Sequence, residues 1–82
     1  MPEVVVYSRA ECGLCEELLA EVERARRREP FELRVVDVDS DPTLAARYGA
    51  EVPVVVIEGR KAFKFRLRAA DLVRRLRRRG RG

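Results

Sequence analysis

Cys12 and Cys15, the only cysteines of the chain, are separated by two residues and lie where a short apolar strand pattern gives way to a helical one. The first amides of a helix carry unpaired N–H donors and the positive end of the helix dipole, which stabilise a thiolate, the nucleophilic form of cysteine. Residues three apart on a helix are neighbours, so one sulfur can attack a disulfide and the other can resolve the mixed disulfide. The sequence therefore predicts thiol–disulfide exchange at this pair.

Other chemistries that use cysteine are limited by the composition. The chain has no histidine, which excludes a Cys-His nucleophile. A closed structural zinc site needs four Cys or His ligands, and one chain supplies two. Binding of zinc or a two-iron cluster shared between two chains remains as an alternative, and we expect no metal site within one chain.

Length and hydropathy indicate one small domain. We assign residues 1–79 to it and expect residues 80–82 to form a frayed basic tail. No apolar run resembles a secretory signal or approaches the roughly 20 residues of a membrane span. We therefore expect a cytoplasmic monomer without a membrane partner. In a reducing cytosol, a close cysteine pair is more often reactive than structural.

Charge is divided unevenly along the chain. Residues 1–59 hold seven arginines and thirteen acidic residues, a net charge of −6, whereas residues 60–82 have a net charge of +10. The basic segment from Arg74 to Arg81 offers a further alternative, a module that binds nucleic acid or acidic proteins. No aromatic residue lies between these arginines, so we favour a solvated helix face and expect no nucleic-acid partner.

The elements follow from apolar spacing and from turn residues. Strands are predicted at Val4–Ser8, within Phe31–Val38 and at Val54–Ile57, followed by a turn at Glu58-Gly59-Arg60. A last strand is predicted over Lys61–Arg66, with Ala62 on one face and Phe63 and Phe65 on the other.

Three helices connect or follow these strands. The first runs from Cys12 to about Glu29 and ends before Pro30. A short second helix begins at Asp39–Pro42 and closes at Gly49, and the third covers Ala69 to about Arg79. The order is βαβαββα, and a crossover between parallel strands places the cysteine pair at the carboxyl end of the first strand.

A family resemblance rests on the first strand running into Tyr7-Ser8-Arg9, on Cys12-Gly13-Leu14-Cys15, on Val52-Pro53 and on the element order. Together these resemble the thioredoxin fold, a four-stranded mixed sheet flanked by three helices, and within it a glutaredoxin-like protein. The resemblance implies that Cys12 is the nucleophile and Cys15 the resolving thiol. It implies a cis Pro53 beside Cys12, substrate pairing with the Val52 backbone, and a basic contact from Arg9.

The sequence departs from glutaredoxins where those proteins bind glutathione. Leu67-Arg68 stands in place of a Gly-Gly pair, although Asp71 matches the aspartate that follows it. Glycines let a ligand approach the backbone closely, whereas Arg68 offers a guanidinium to a carboxylate. We therefore expect a protein disulfide or a low-molecular-weight thiol as partner, with glutathione as a possible co-substrate and no tightly bound cofactor.

Overall fold

A computed structural model describes residues 1–79 of the chain. The predicted frayed tail at residues 80–82 lies outside the described residues. Within residues 1–79, no helix is both long enough and apolar enough to cross a membrane.

Four strands form one mixed sheet. They are β1 (Glu3–Ser8), β2 (Glu32–Asp37), β3 (Val54–Ile57) and β4 (Arg60–Lys64), in the spatial order β2-β1-β3-β4. β1 is parallel to β2 and antiparallel to β3, and β3 and β4 form an antiparallel hairpin. The parallel pair requires a crossover, so both strands end at the same edge of the sheet. The predicted βαβαββα fold is confirmed, and β1 lies inside the sheet.

Three α-helices complete the fold: α1 (Gly13–Arg28), α2 (Pro42–Tyr48) and α3 (Ala69–Arg79). α1 carries Glu16 in its first turn and three arginines in its last turn, which complements the helix dipole. α2 begins as the sequence predicts, because the Asp41 carboxylate accepts from the Thr43 N–H at 2.8 Å and Pro42 is the first helical residue. A single 3₁₀ turn at Val38–Ser40, which the sequence analysis did not predict, precedes it.

The sheet has a core on each face. α1 and α3 cover one face, where Val4, Val6 and Leu18 are among the buried residues. α2 covers part of the other face, where Val5 and Tyr48 are buried. β1 therefore sends successive valines to opposite cores, which explains why its sequence is a continuous apolar run instead of an alternating one.

The last strand differs from its prediction. β4 ends at Lys64, and a bulge between the pairs Val55↔Phe63 and Val56↔Lys61 leaves Ala62 as an extra residue. An extra residue reverses the alternation of side chains beyond it, so Ala62 and Phe63 both pack against the core under α1 and α3. The predicted alternation over Lys61–Arg66 is therefore wrong. Phe65 follows the strand with φ +69° and remains exposed.

Candidate functional site

The two cysteines lie at the start of α1, directly beyond the carboxyl end of β1. Their Cα atoms are 5.2 Å apart, and a disulfide joins the two sulfurs. Cys15 is 2% exposed, whereas Cys12 is only partly buried. An external thiol or disulfide can therefore approach Cys12 but not Cys15.

The helix terminus acts on the Cys12 sulfur. Cys12 is the N-cap of α1, and its Sγ accepts a hydrogen bond from the Cys15 N–H at 3.2 Å. Its carbonyl accepts from the Glu16 N–H at 3.1 Å, which begins the helix. When the disulfide is reduced, an amide donor and the positive end of the helix dipole at this position favour the thiolate of Cys12.

The Val52–Pro53 segment precedes β3 and lies at the same edge of the sheet. The peptide bond between these residues is cis, and Pro53 is buried. Tyr7 of β1 pairs with Val54, the first residue of β3, and the two strands are antiparallel. Val52 and Pro53 therefore lie beyond the last paired residue of β1, on the side of the cysteine loop. The Pro53 carbonyl accepts from the Phe65 N–H at 2.8 Å, whereas within residues 1–79 the Val52 backbone makes no hydrogen bond to another backbone group. The pairing of the Val52 backbone with substrate stays a prediction.

Glu51 holds this segment against β4. Its carboxylate accepts from Lys61 Nζ at 2.6 Å and from Lys64 Nζ at 3.1 Å. The hydrogen bond from Lys61, followed by that from Lys64, lowers the pKa of Glu51 below its ordinary value. The segment is therefore held by the two ion pairs of Glu51 and by the hydrogen bond from the Phe65 N–H to the Pro53 carbonyl.

Arg9, predicted to contact substrate, makes its contacts within the protein. Its Nε donates to Asp39 Oδ2 at 2.8 Å, and a terminal nitrogen donates to Asp39 Oδ1 at 3.2 Å. The other terminal nitrogen donates to the Gly49 carbonyl at 3.2 Å. The hydrogen bond to Asp39 raises the pKa of Arg9. In this arrangement Arg9 ties the loop before Cys12 to the end of α2, and its contact with substrate stays a prediction.

Arg68 and Asp71, the other predicted ligand residues, line a groove of about 940 Å³ between α1 and the segment that leads from β4 into α3. The groove reaches Leu14, inside the cysteine motif, and Phe65 is exposed in it. Asp71 pairs with Arg74 at 2.7 Å, whereas the Arg68 side chain makes no ion pair within residues 1–79. The structure therefore brings Arg68 and Asp71 together in the groove that begins at the cysteine motif, while Arg9 is engaged with Asp39 and Gly49.

Glu21 is a site residue that the sequence analysis missed. It lines the same groove, and its Oε1 accepts from the Ala69 N–H at 2.9 Å, at the first residue of α3. Its other oxygen pairs with Arg24. One signal was present in the sequence: the residue before α3 is Arg68, whose side chain cannot accept a hydrogen bond, so a side-chain acceptor for the first amides of the helix must come from elsewhere.

Metal-binding groups are not clustered in the part of the chain that the structure describes. Residues 1–79 contain no group of three or more His, Cys, Asp or Glu side chains placed to hold an ion. The chemistry that the geometry presents is that of the two sulfurs and the groove beside them.

Comparisons with known proteins agree with this geometry. A protein of Mycobacterium tuberculosis, Uncharacterized protein Rv0508, is 29% identical over 65 residues, which are 73% of this chain and 67% of that protein. The structure of protein XcR50 from X. campestris is 28% identical with a TM-score of 0.78, over 92% of this chain and 96% of that one. Chloroplastic thioredoxin z, at 22% identity, shares the fold with a TM-score of 0.80, over 100% of this chain and 80% of its own.

The family model covers nearly the whole described chain. The model described as Glutaredoxin-like domain (DUF836) matches residues 3–77, a range that includes both cysteines, Val52-Pro53 and most of α3. The chain therefore has a thioredoxin fold with a cysteine pair suited to thiol chemistry, and it belongs to the family of glutaredoxin-like domains.

Proposed function

We propose that this chain is a thiol–disulfide oxidoreductase in which Cys12 is the nucleophile and Cys15 the resolving thiol. The observation that carries this proposal is the difference in exposure between the two cysteine residues at the N-terminus of α1. Cys12 is reachable and receives an amide hydrogen bond, whereas Cys15 is 2% exposed. A buried thiol one turn away can react with Cys12 but not with an external disulfide.

The reaction proceeds in two exchanges. The Cys12 thiolate attacks one sulfur of the substrate disulfide, and the other substrate sulfur leaves as a thiolate that takes a proton from water. The Cys15 thiolate then attacks the Cys12 sulfur and releases the second substrate thiol. Two electrons pass from the protein to the substrate, and the protein is left with the Cys12–Cys15 disulfide. Two thiols of a low-molecular-weight donor, or a dithiol reductase, restore the reduced pair by the reverse exchanges.

The substrate contacts two parts of the protein, the Val52 backbone and the groove. The N–H and C=O of Val52 pair with an extended segment of a protein disulfide, and the groove receives the part that lies beyond the reacting sulfur. Arg68 offers a guanidinium to a carboxylate there. The cysteines themselves carry the electrons, so the reaction needs no tightly bound cofactor, and glutathione remains a candidate co-substrate.

Two cysteine variants test the order of action. We expect Cys12→Ser to abolish reduction of a peptide disulfide, because the reachable sulfur is lost. We expect Cys15→Ser to form a stable mixed disulfide on Cys12, which intact mass spectrometry detects as an adduct of the substrate thiol. Turnover by Cys12→Ser equal to that of the wild type would contradict the proposal, as would an adduct on Cys15 in the Cys12→Ser protein.

A second measurement identifies the donor class. The purified protein is equilibrated with glutathione redox buffers and acid-quenched, and mass spectrometry then gives the fractions of dithiol, disulfide and glutathione adduct. An adduct on Cys12 would support glutathione as co-substrate. A transition from dithiol to disulfide without an adduct would favour a dithiol donor.

A further inference from the structure

Glu21 fills a position at the start of α3 that would otherwise attract an anion. The first amides of a helix have no partner within the helix, and they favour negative charge. In α3 the amides of Asp71 and Leu72 bond to the Arg68 carbonyl, and the Ala69 amide donates to Glu21 at 2.9 Å. The Ala69 N–H is thus already bonded to a carboxylate of the protein, that of Glu21.

The same carboxylate faces the groove that begins at the cysteine motif. Glu21 and Ala69 both line it, and so does Leu14, which lies between the two cysteines. A disulfide that reacts at Cys12 and extends into this groove would pass Leu14 and reach Glu21. A negatively charged group on it would meet the Glu21 carboxylate instead of a free Ala69 amide.

Three arginines, Arg24, Arg66 and Arg68, line the groove together with Glu21. Arg24 pairs with Glu21, but the Arg24 side chain is 61% exposed and the Glu21 side chain 27%. Arg66 and Arg68 attract a carboxylate in the groove, but both side chains are exposed, so solvent and salt weaken that attraction. The hydrogen bond between Glu21 and the Ala69 amide is part-buried, and a ligand carboxylate must displace it to reach the amide.

We propose that Glu21 is a specificity-determining residue that selects against anionic low-molecular-weight disulfides and in favour of uncharged ones. This inference rests on the proposed function of the cysteine pair. Its physical basis is the repulsion of a like charge by a carboxylate fixed on the helix terminus. Removing the negative charge while keeping the hydrogen-bond acceptor should relax the selection.

One anionic and one uncharged disulfide are used to measure this selection by charge. Glutathione disulfide carries a net negative charge at neutral pH, and 2-hydroxyethyl disulfide carries none. The rate constant for oxidation of the reduced protein by each is obtained by acid quenching and mass spectrometry. The ratio of the two constants reports selection by charge and cancels changes in the intrinsic reactivity of Cys12.

Glu21→Gln is the test variant, and Glu23→Gln is its matched control. Glu23 lies on the same helix and has the same i,i+3 pairing, with Arg26 at 3.3 Å, but it is not part of the groove lining. We expect Glu21→Gln to raise the ratio in favour of glutathione disulfide about threefold to tenfold at low salt, and less at 1 M salt (Debye length about 3 Å). Glu23→Gln should change it less than about twofold, because a screened surface charge acts weakly.

The outcomes separate the inference from the proposed function. An unchanged ratio in Glu21→Gln, or an equal rise in Glu23→Gln, would overturn the role of Glu21 while leaving disulfide exchange intact. If neither disulfide oxidised the wild-type protein, the proposed function itself would fail. Thermal unfolding checks that Glu21→Gln is folded, and Glu21→Ala, which also lacks the charge, must raise the ratio in the same direction.

Discussion

Replacing Gly49 by alanine is expected to destabilise the protein, because a side chain there has no space. Gly49 follows α2 with φ −54°, a conformation that alanine adopts readily, so backbone strain is not the cause. A Cβ atom at this position would lie well inside contact distance of the Ala45 carbonyl oxygen and 3.0 Å from a guanidinium nitrogen of Arg9. The Ala45 carbonyl is backbone and bonds to the Gly49 N–H at 2.9 Å, so it cannot move without disturbing the end of α2. The Arg9 guanidinium can shift, but only by disturbing its hydrogen bonds to Asp39.

The expected cost follows from these two contacts. Relieving the first requires lengthening or breaking the hydrogen bond between the Gly49 N–H and the Ala45 carbonyl, worth about 0.5–1.5 kcal/mol. Overpacking at a site that cannot relax costs about 1–3 kcal/mol in general. We expect Gly49→Ala to lower the free energy of unfolding by about 1–3 kcal/mol. For a domain of this size, each kcal/mol corresponds to roughly 4–8 °C in Tm.

Gly13→Ala is the matched control. Gly13 is the first residue of α1, and a Cβ there would have no atom within 4 Å. Alanine is favoured over glycine in helices by up to about 1 kcal/mol, so this variant should equal or exceed the wild type. Thermal and urea unfolding are measured with the cysteine disulfide intact in all three proteins. Equal stability of Gly49→Ala and Gly13→Ala would refute the steric reasoning.

Two further predictions concern stability. The lowered pKa of Glu51 means that its carboxylate stabilises the fold above the unfolded-state pKa of about 4.5, and that this contribution is lost as pH falls through the folded-state value. Glu51→Gln lacks the contribution, so its stability should fall less steeply than that of the wild type from about pH 5 to pH 3 in urea titrations; parallel curves would count against the ion pairs with Lys61 and Lys64. Leu18→Ala should cost about 2–5 kcal/mol because Leu18 is 2% exposed, whereas Leu19→Ala, at a half-buried position, should cost clearly less in the same assay.

Features that depend on neighbouring residues could be predicted from the sequence. Asp41 and Pro42 start α2 because a carboxylate cap and a fixed φ are local properties. The position of Cys12 at the start of α1 follows similarly from where the helical spacing of apolar residues begins. The sequence of β1 is apolar at every position from Val4 to Tyr7, a pattern typical of a strand covered on both faces. In the structure β1 lies between β2 and β3.

Features that depend on distant residues could not be predicted in this way. Arg9 meets Asp39 across 30 residues, and nothing near either residue in the sequence identifies the other. The bulge at Ala62 depends on how β4 fits against β3 and the core. Regular alternation therefore placed Ala62 and Phe63 on opposite faces, whereas both pack against the same core. The partner of the Ala69 amide is 48 residues away on α1, which is why Glu21 was missed.

The hydrogen bond from the Ala69 amide of α3 to Glu21 of α1 makes this amide a reporter of tertiary structure. In most helices, slow hydrogen exchange near the first turn reports the local helix and its own cap. Here the Ala69 amide is shielded by a carboxylate from α1, so its exchange with solvent deuterium measures docking of two helices at opposite ends of the chain. A single resonance in an NMR spectrum thus follows the contact between α1 and α3.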